Sequence, residues 1–320
     1  MNLEYLYNIG RKSIALILAI AVMINFVLIC PYHLQAFPIY AQQSYEDPRE
    51  PTGRIVCANC HLAQKPITIE APQSVLPNTI FETIVKIPYN TKSQQILGNG
   101  QKGPLNVGAI VILPEGFKLA PSNLVSNEIK EKNKRVYIQP YSTAKDNILV
   151  VGPISGEQNQ EITFPILSPD PSKNKNVHFL KYPIYVGANK GRGQLYPTGD
   201  KSNNNIITSS TSGTVIDINT TEQGGYSIQI KKTNGDYILE NVPKGLNLDI
   251  YKGQNIITNQ ALTKDPNVGG FGQNETEIVL QSPDRIKGMI TFFFIITIAQ
   301  IFFVLKKKQW EKVQAADMNF

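Results

Sequence analysis

Ile80-Phe81-Glu82-Thr83-Ile84-Val85-Lys86-Ile87 is a short apolar run, rich in β-branched side chains and followed at once by Pro88. Branching at Cβ suits an extended chain, where the side chain packs on a pleated surface. The same character returns at Val107–Leu113, Asn147–Val151, Glu161–Leu167, Tyr226–Ile230 and Glu277–Leu280, with Pro and Gly every few residues between them. Helical turns are expected only around Gln94–Leu97 and Ser126–Lys134. The basic run Lys130–Arg135 (KEKNKR) reads as a solvated turn. This stretch of chain therefore reads as mainly β, a large β-sandwich. Lys201–Thr211 (KSNNNIITSST) is polar and suggests a domain boundary. Beyond it, Val215–Tyr251 alternates tightly with turns at Gly224-Gly225 and Asn234-Gly235, the pattern of a small separate β unit. Asn267–Gly272 (NVGGFG) is then the return crossing, and Glu275–Gln281 one more strand.

Two hydrophobic segments frame this β region. After Arg11-Lys12, residues 13–30 (SIALILAIAVMINFVLIC) carry no charge and lead to Leu34-Gln35-Ala36, where a small residue can precede a signal-peptidase cut. An export signal is expected, with a retained anchor as the alternative reading and Ala41 as a second possible cut. The other segment, Gly288–Leu305 (GMITFFFIITIAQIFFVL), has 18 uncharged residues. As a helix it rises about 27 Å, close to the thickness of bilayer hydrocarbon. Lys306, Lys307 and Lys308 follow it. Positive charge stays on the side from which insertion occurs, so the tail is expected inside and residues 37–285 in the exported compartment.

Composition narrows the class. Of the 320 residues, 42% are hydrophobic and 18% charged, which excludes a disordered chain and a multi-span transporter. The net charge of +6 sits mostly at the flanks of the two hydrophobic segments. Residues 37–285 keep 24 basic against 22 acidic side chains, so nucleic acid is not an expected partner. Three cysteines cannot make a disulfide scaffold, and a second pair for a zinc ribbon does not exist.

Cys57-Ala58-Asn59-Cys60-His61 is the C-x-x-C-H pattern of covalent c-type haem attachment. Its spacing lets two thiols add to the two vinyl groups on one porphyrin edge while the adjacent imidazole reaches the iron. A thioredoxin-like redox pair needs a βαβ unit, which this chain does not show. The sixth iron ligand is narrowed by elimination. Met1, Met23, Met289 and Met318 all lie outside the exported region, and His33 goes with the leader. His178, a lysine, an open site or the α-amine of the processed chain remain. With an ordinary pKa near about 8, the amine offers its lone pair at a smaller cost than a lysine does. His178, between Val177 and Phe179-Leu180, reads as a core histidine.

FPIYAQQSYEDPREPTGRIVCANCHLA (37–63) strongly resembles the mature N-terminus of the cytochrome f family, the haem subunit of the photosynthetic cytochrome bf complex. The similarity continues through VLPNTIFETIVKIPY (75–89), NVGAIVILPEGFKLAP (106–121), EITFPILSPDP (161–171), VHFLKYPIYVGANKGRGQLYP (177–197), PNVGGFG (266–272) and the tail KKKQWEKVQAADMNF. The resemblance implies a cut after Ala36, His61 as fifth iron ligand and the α-amine of Phe37 as sixth. It also implies a buried water chain lined by Gln95, Asn189, Gln194, Asn204 and Asn267, and a small β domain inserted late in a large one. The expected organisation is a cleaved signal peptide (1–36), a large haem-binding domain (37–204, completed by 267–285) and a small β domain (205–266). A transmembrane helix (286–305) and a stromal or cytoplasmic tail (306–320) follow.

What the family resemblance implies about function is an electron carrier rather than an enzyme. It would take electrons from the Rieske iron–sulfur protein, beside cytochrome b, and pass them to plastocyanin or a soluble c-type cytochrome in the thylakoid lumen. The other class of reading is an exported haem enzyme or ligand sensor with an open sixth position. Plant members carry lysines that attract an acidic partner; here two matching positions are Gln94 and Gln101, leaving Lys102 with Lys92 nearby as the partner surface. A leader without a preceding transit peptide points to a plastid-encoded or cyanobacterial chain.

Overall fold

The computed structural model describes residues 38–318; the leader 1–36 with its cut, and Phe37, lie outside the described residues. Two sheets face each other. One is β1 (Thr68–Glu70), β3 (Ile80–Lys86), β10 (Glu161–Leu167) and β7 (Lys118–Leu119), in that order. The other runs β2 (Ser74–Val75), β16 (Gly270–Leu280), β11 (Lys181–Lys190), β6 (Asn106–Ile112), β9 (Lys145–Ser155) and β8 (Ile138–Ser142). All pairings are antiparallel except β2 with β16. The period-2 rule shows in β3, where burial alternates strictly, so Phe81, Thr83 and Val85 point inward. Phe81 and Val85 meet Phe164 and Ile166 of the same sheet and Val107, Val111, Ile184, Val186 and Ile278 of the other, forming one sandwich core.

β6 and β11 depart from this alternation. β6 (NVGAIVI) is buried along nearly its whole length, because both faces of the six-stranded sheet are covered. Val107, Ala109 and Val111 enter the sandwich core, whereas Ile110 joins Ile55, Tyr141, Ile148, Val150 and Phe271 in a second cluster. Cys57 and Ala58 pack against that second cluster. The fold thus places the C-x-x-C-H segment on the outer face of the larger sheet.

A third sheet, β14 (Tyr237–Val242), β13 (Tyr226–Lys232), β12 (Gly213–Thr220) and β15 (Asn255–Ile256), has its own core of Val215, Ile228, Ile230, Val242, Leu246, Ile256 and Leu262. Ile96 completes it from a distance in sequence. It belongs to β4 (Gln94–Ile96), which pairs with β5 (Lys102–Pro104) in a hairpin, so the helical turn expected at Gln94–Leu97 is a strand instead. The hairpin meets the third sheet's loops backbone to backbone. A Cβ on Gly100 would stand 2.7 Å from the carbonyl oxygen of Lys244, and one on Gly245 would collide with the carbonyl of Gly100. Both glycines hold positive φ, 79° and 94°, which a β-carbon disfavours.

Three helices complete the described residues: α1 (Pro38–Ser44), α2 (Asn127–Lys132) and α3 (Pro283–Asp317). α2 starts where Ser126 Oγ accepts the Ile129 N–H and includes part of the basic run read as a turn. α3 begins at a Ser282 cap with Pro283 in its first turn. It runs without a break through the uncharged segment, and none of its residues is buried. It is long and apolar enough to cross a membrane. Thr291 and Thr297 donate their hydroxyls to the carbonyls of Lys287 and Phe293, which satisfies both groups inside the helix. The expected return crossing also changes character: β16 begins at Gly270, so GFG of NVGGFG is already strand.

Ile96→Ala should destabilise the small β unit by about 2–5 kcal/mol, the cost of a large-to-small change in a packed core. Leu239→Ala, on the exposed face of β14, should stay within about 0.5 kcal/mol. Urea unfolding of the two variants checks the contrast.

Candidate functional site

The C-x-x-C-H segment is a tight turn held from several sides. Val56–Asn59 forms one turn of 3₁₀ helix, with Ile55 and Val56 buried at its start. The Ile55 N–H donates to Gln273 Oε1 on β16 at 3.1 Å, and the Val56 N–H to the Pro48 carbonyl at 2.9 Å. Within the turn, the Cys60 and His61 N–H groups both donate to the Cys57 carbonyl. Behind it, the Cys60 carbonyl accepts from Gln194 N at 2.8 Å, and the Leu62 N–H donates to Gln194 Oε1 at 2.8 Å. Packing under the turn requires Gly187 on β11. A Cβ there would lie 2.5 Å from Phe271 Cζ and 3.0 Å from Ile55 Cδ1.

Burial sets the chemistry of the three side chains. Cys57 and Cys60 are free thiols, each partly buried. Burial pushes the Cys57 thiol up to about 12, with a smaller lowering by its backbone hydrogen bond and a smaller rise from Cys60. Cys60 is also raised by burial. Both therefore stay protonated near neutral pH. His61 is 7% exposed, and burial lowers its imidazole to about 4, so the ring is neutral with a lone pair free for a metal. Its Nδ1 is buried without a hydrogen-bond partner in the protein.

Among the described residues, no three His, Cys, Asp or Glu side chains converge on one point as ligands of a bare ion. Two unpaired thiols three residues apart, followed by a neutral buried imidazole, fit a c-type haem held along one edge and ligated through iron.

The residues expected along a water chain fall on one polar seam beside this turn. Gln95 Oε1 accepts from Arg192 N at 2.8 Å, while Asn204 Nδ2 donates to the Arg192 carbonyl at 2.9 Å and to Asn267 Oδ1 at 3.3 Å. Ser202 Oγ accepts from Asn204 N, and Ser202 N donates to the carbonyl of Gln194. Asn189 sits at the edge of the seam, its Nδ2 3.4 Å from the Gly191 carbonyl. Gln95, Gln194 and Asn204 are buried, and Gln194 Nε2 and Asn204 Oδ1, like His61 Nδ1, have no protein partner. Buried polar atoms of this kind are normally satisfied by ordered water.

Lys92, just before β4, and Lys102, the first residue of β5, are exposed and join no ion pair among the described residues. His178 is exposed rather than in the core. It follows buried Val177, but its backbone is turned outward and pinned by the Tyr182 hydroxyl, which bonds both its N–H and its carbonyl. Sequence reasoning missed Tyr141 and Gln273, which hold the site from strands β8 and β16. Their partners lie 96 to 220 residues away, so no local pattern announces them.

Residues 37–191 match the family described as apocytochrome F, N-terminal, and residues 203–320 the one described as apocytochrome F, C-terminal. The chain is 70% identical over 304 residues to a cytochrome f of Gracilaria tenuistipitata var. liui, covering 95% of this chain and 98% of that one. It is 64% identical to cytochrome f of Porphyra purpurea over the full length of both, and 58% identical to that of Rhodomonas salina, again over both full lengths.

Replacing Cys57 or Cys60 by Ala should leave at most one thioether and sharply lower accumulation of haem-bearing protein. The double variant should retain no haem through denaturing electrophoresis, read by haem staining of the gel.

Proposed function

This chain belongs to the cytochrome f family, and from that premise we propose that it is the membrane-anchored electron carrier of the cytochrome bf complex. It takes electrons from the Rieske iron–sulfur protein, beside cytochrome b, and passes them to plastocyanin or a soluble c-type cytochrome. The observation that carries this reading is the buried turn Val56–His61, with two free thiols and a neutral imidazole on one packed surface. When bound, a c-type haem supplies a one-electron couple that needs no substrate at the iron.

In this reading Cys57 and Cys60 fix the porphyrin edge and His61 is the fifth ligand. The sixth is the α-amine of Phe37, freed by cleavage after Ala36. The alternative cut after Ala41 is disfavoured by packing, because Ala41 lies inside α1 against the cluster under the turn. His61 and the Phe37 amine would together hold the iron, leaving no substrate site on it, and the haem would supply outer-sphere electron transfer whose rate follows distance and burial. Gln95, Asn189, Gln194, Asn204 and Asn267 line a chain of waters beginning near His61, a role supported by the unpartnered buried Gln194 Nε2 and Asn204 Oδ1 and by His61 Nδ1 beside them. The division into 37–204 with 267–285, an inserted 205–266, a span at 286–305 and a tail at 306–320 belongs to the same reading. So does a thylakoid location with residues 37–285 in the lumen: Lys306–Lys308 would hold the tail on the opposite side.

Processing acts as a chemical switch. Before cleavage the nitrogen of Phe37 is an amide without a usable lone pair; afterwards it is an amine. Ala36→Leu should block the cut, leaving haem attached through the cysteines and ligated by His61 but with a spectrum different from that of the mature protein. An unchanged spectrum in the uncleaved form rejects amine ligation.

The acceptor surface is weakly charged, with Lys92 and Lys102 beside Gln94 and Gln101. Electrostatic steering fades as the Debye length falls from about 30 Å at 0.01 M to about 10 Å at 0.1 M ionic strength. Electron transfer to the acceptor should therefore depend only shallowly on salt over that range, and Lys92→Gln with Lys102→Gln should slow it modestly, as read by stopped-flow or flash kinetics. A steep loss removed by the double substitution would show that two lysines suffice to steer.

A further inference from the structure

The helix that follows Phe37 is too small to hold itself. α1 has seven residues, none of them buried, and two turns of isolated helix are unstable in water. Its position must come from tertiary contacts. Those contacts converge on Tyr141. The Tyr141 side chain is 3% exposed, and its hydroxyl lies 2.6 Å from the carbonyl oxygen of Ala41 and 2.7 Å from that of Tyr45, so one proton is shared between an acceptor in the last turn of α1 and one on the residue just after it. In the other direction, Gln42 Nε2 donates to the Tyr141 carbonyl at 2.7 Å. That carbonyl is available because the β8–β9 ladder is irregular here. Pro140 faces Leu149 and Ser142 faces Lys145, leaving Tyr141 without a ladder partner.

The same residue also touches the haem-binding turn. Tyr141 belongs to the cluster on which Cys57 and Ala58 pack, together with Ala41 of α1. Two further links tie the same corner: Asn59 Nδ2, inside the C-x-x-C-H motif, donates to the Tyr45 hydroxyl at 3.1 Å, and Asp47 pairs with Lys145 of β9. Pro38, the first residue of α1, is bonded directly to Phe37. Whatever fixes α1 against the turn therefore fixes where the α-amine can reach.

We propose that Tyr141 is a positioning residue for the sixth iron ligand, locking α1 onto the surface that carries Cys57 and His61 so that the amine of Phe37 stays on the iron. The proposal rests on amine ligation as set out above. Tyr141 would act through α1 rather than on the iron; its role is to lower the fraction of time in which the amine is away and an outside ligand can enter. The ring fills the cluster and the hydroxyl supplies the lock, so Tyr141→Phe separates the two functions.

The test uses the full-length, processed protein in detergent, with reduced-minus-oxidised spectra, carbon monoxide as the probe ligand, and amide hydrogen exchange of residues 38–45. Wild type should be indifferent to carbon monoxide. Tyr141→Phe should keep covalently attached haem but bind carbon monoxide about tenfold more readily, the effect of losing one shared hydrogen bond on a two-state equilibrium. Exchange should quicken in α1 while the strands β6 and β11 keep wild-type protection. Gln42→Ala, which leaves the buried ring untouched, should move both readouts in the same direction to a smaller extent. A Tyr141→Phe protein as inert to carbon monoxide as wild type overturns the proposal. If that variant does not accumulate, a Gln42→Ala protein indistinguishable from wild type overturns it instead. Carbon monoxide binding by wild type would refute amine ligation itself, a result separate from either of these.

Discussion

The six-stranded sheet must be apolar on both faces, and the site follows from that constraint. An antiparallel sheet commonly leaves one face to water and shows alternating polarity. Here β6 and β11 bury both faces, one in the sandwich core and one beneath the turn that carries Cys57, Cys60 and His61. The outer face is shaped as well as greasy. Gly187 leaves the space into which Phe271 and Ile55 pack, and Gln273 on the neighbouring strand reaches out to the Ile55 N–H. The C-x-x-C-H turn is thus seated on strands rather than suspended in a loop.

That seating explains the electrostatics. Withdrawing His61 from water disfavours its charged form and leaves a neutral ring, while the same burial keeps both thiols protonated. Burial also strands polar atoms. His61 Nδ1, Gln194 Nε2 and Asn204 Oδ1 lie along one seam in which Gln194 bonds to the backbone on either side of His61. A seam of amides whose unused atoms look inward suits bound water, and it begins at the ring that would hold iron.

The small β unit is built by a different device. Its core borrows Ile96 from a hairpin of the larger unit, and the two meet where Gly100 and Gly245 bring their backbones into contact. Within the larger unit Arg192 braces the hairpin, donating to the Ile96 carbonyl and to Asn203 Oδ1. The hairpin that carries Lys102, with Lys92 just before it, is therefore coupled both to the small unit and, through Gln95, to the polar seam.

Much of this was legible from local pattern. Short β-branched runs give strands wherever one side chain in two can be buried, so β3, β6, β10 and β13 fall where composition puts them. The uncharged stretch before Lys306 forms a helix because a lone segment can satisfy all its own backbone groups in hydrocarbon only that way. C-x-x-C-H is legible because all its chemistry lies within five residues. Where local pattern failed, distant partners decided. Gln94–Leu97 is a strand because β5 pairs with it, and His178 is exposed although apolar residues flank it. Ile96 is a core residue of a sheet more than a hundred residues away. Tyr141 and Gln273 owe their places beside the C-x-x-C-H turn to strand pairing, which no short window of sequence contains. Sequence alone determined which groups could bind the haem; the tertiary structure decided which of them are buried, neutral and held still, because burial and alignment depend on chain segments that meet only after folding.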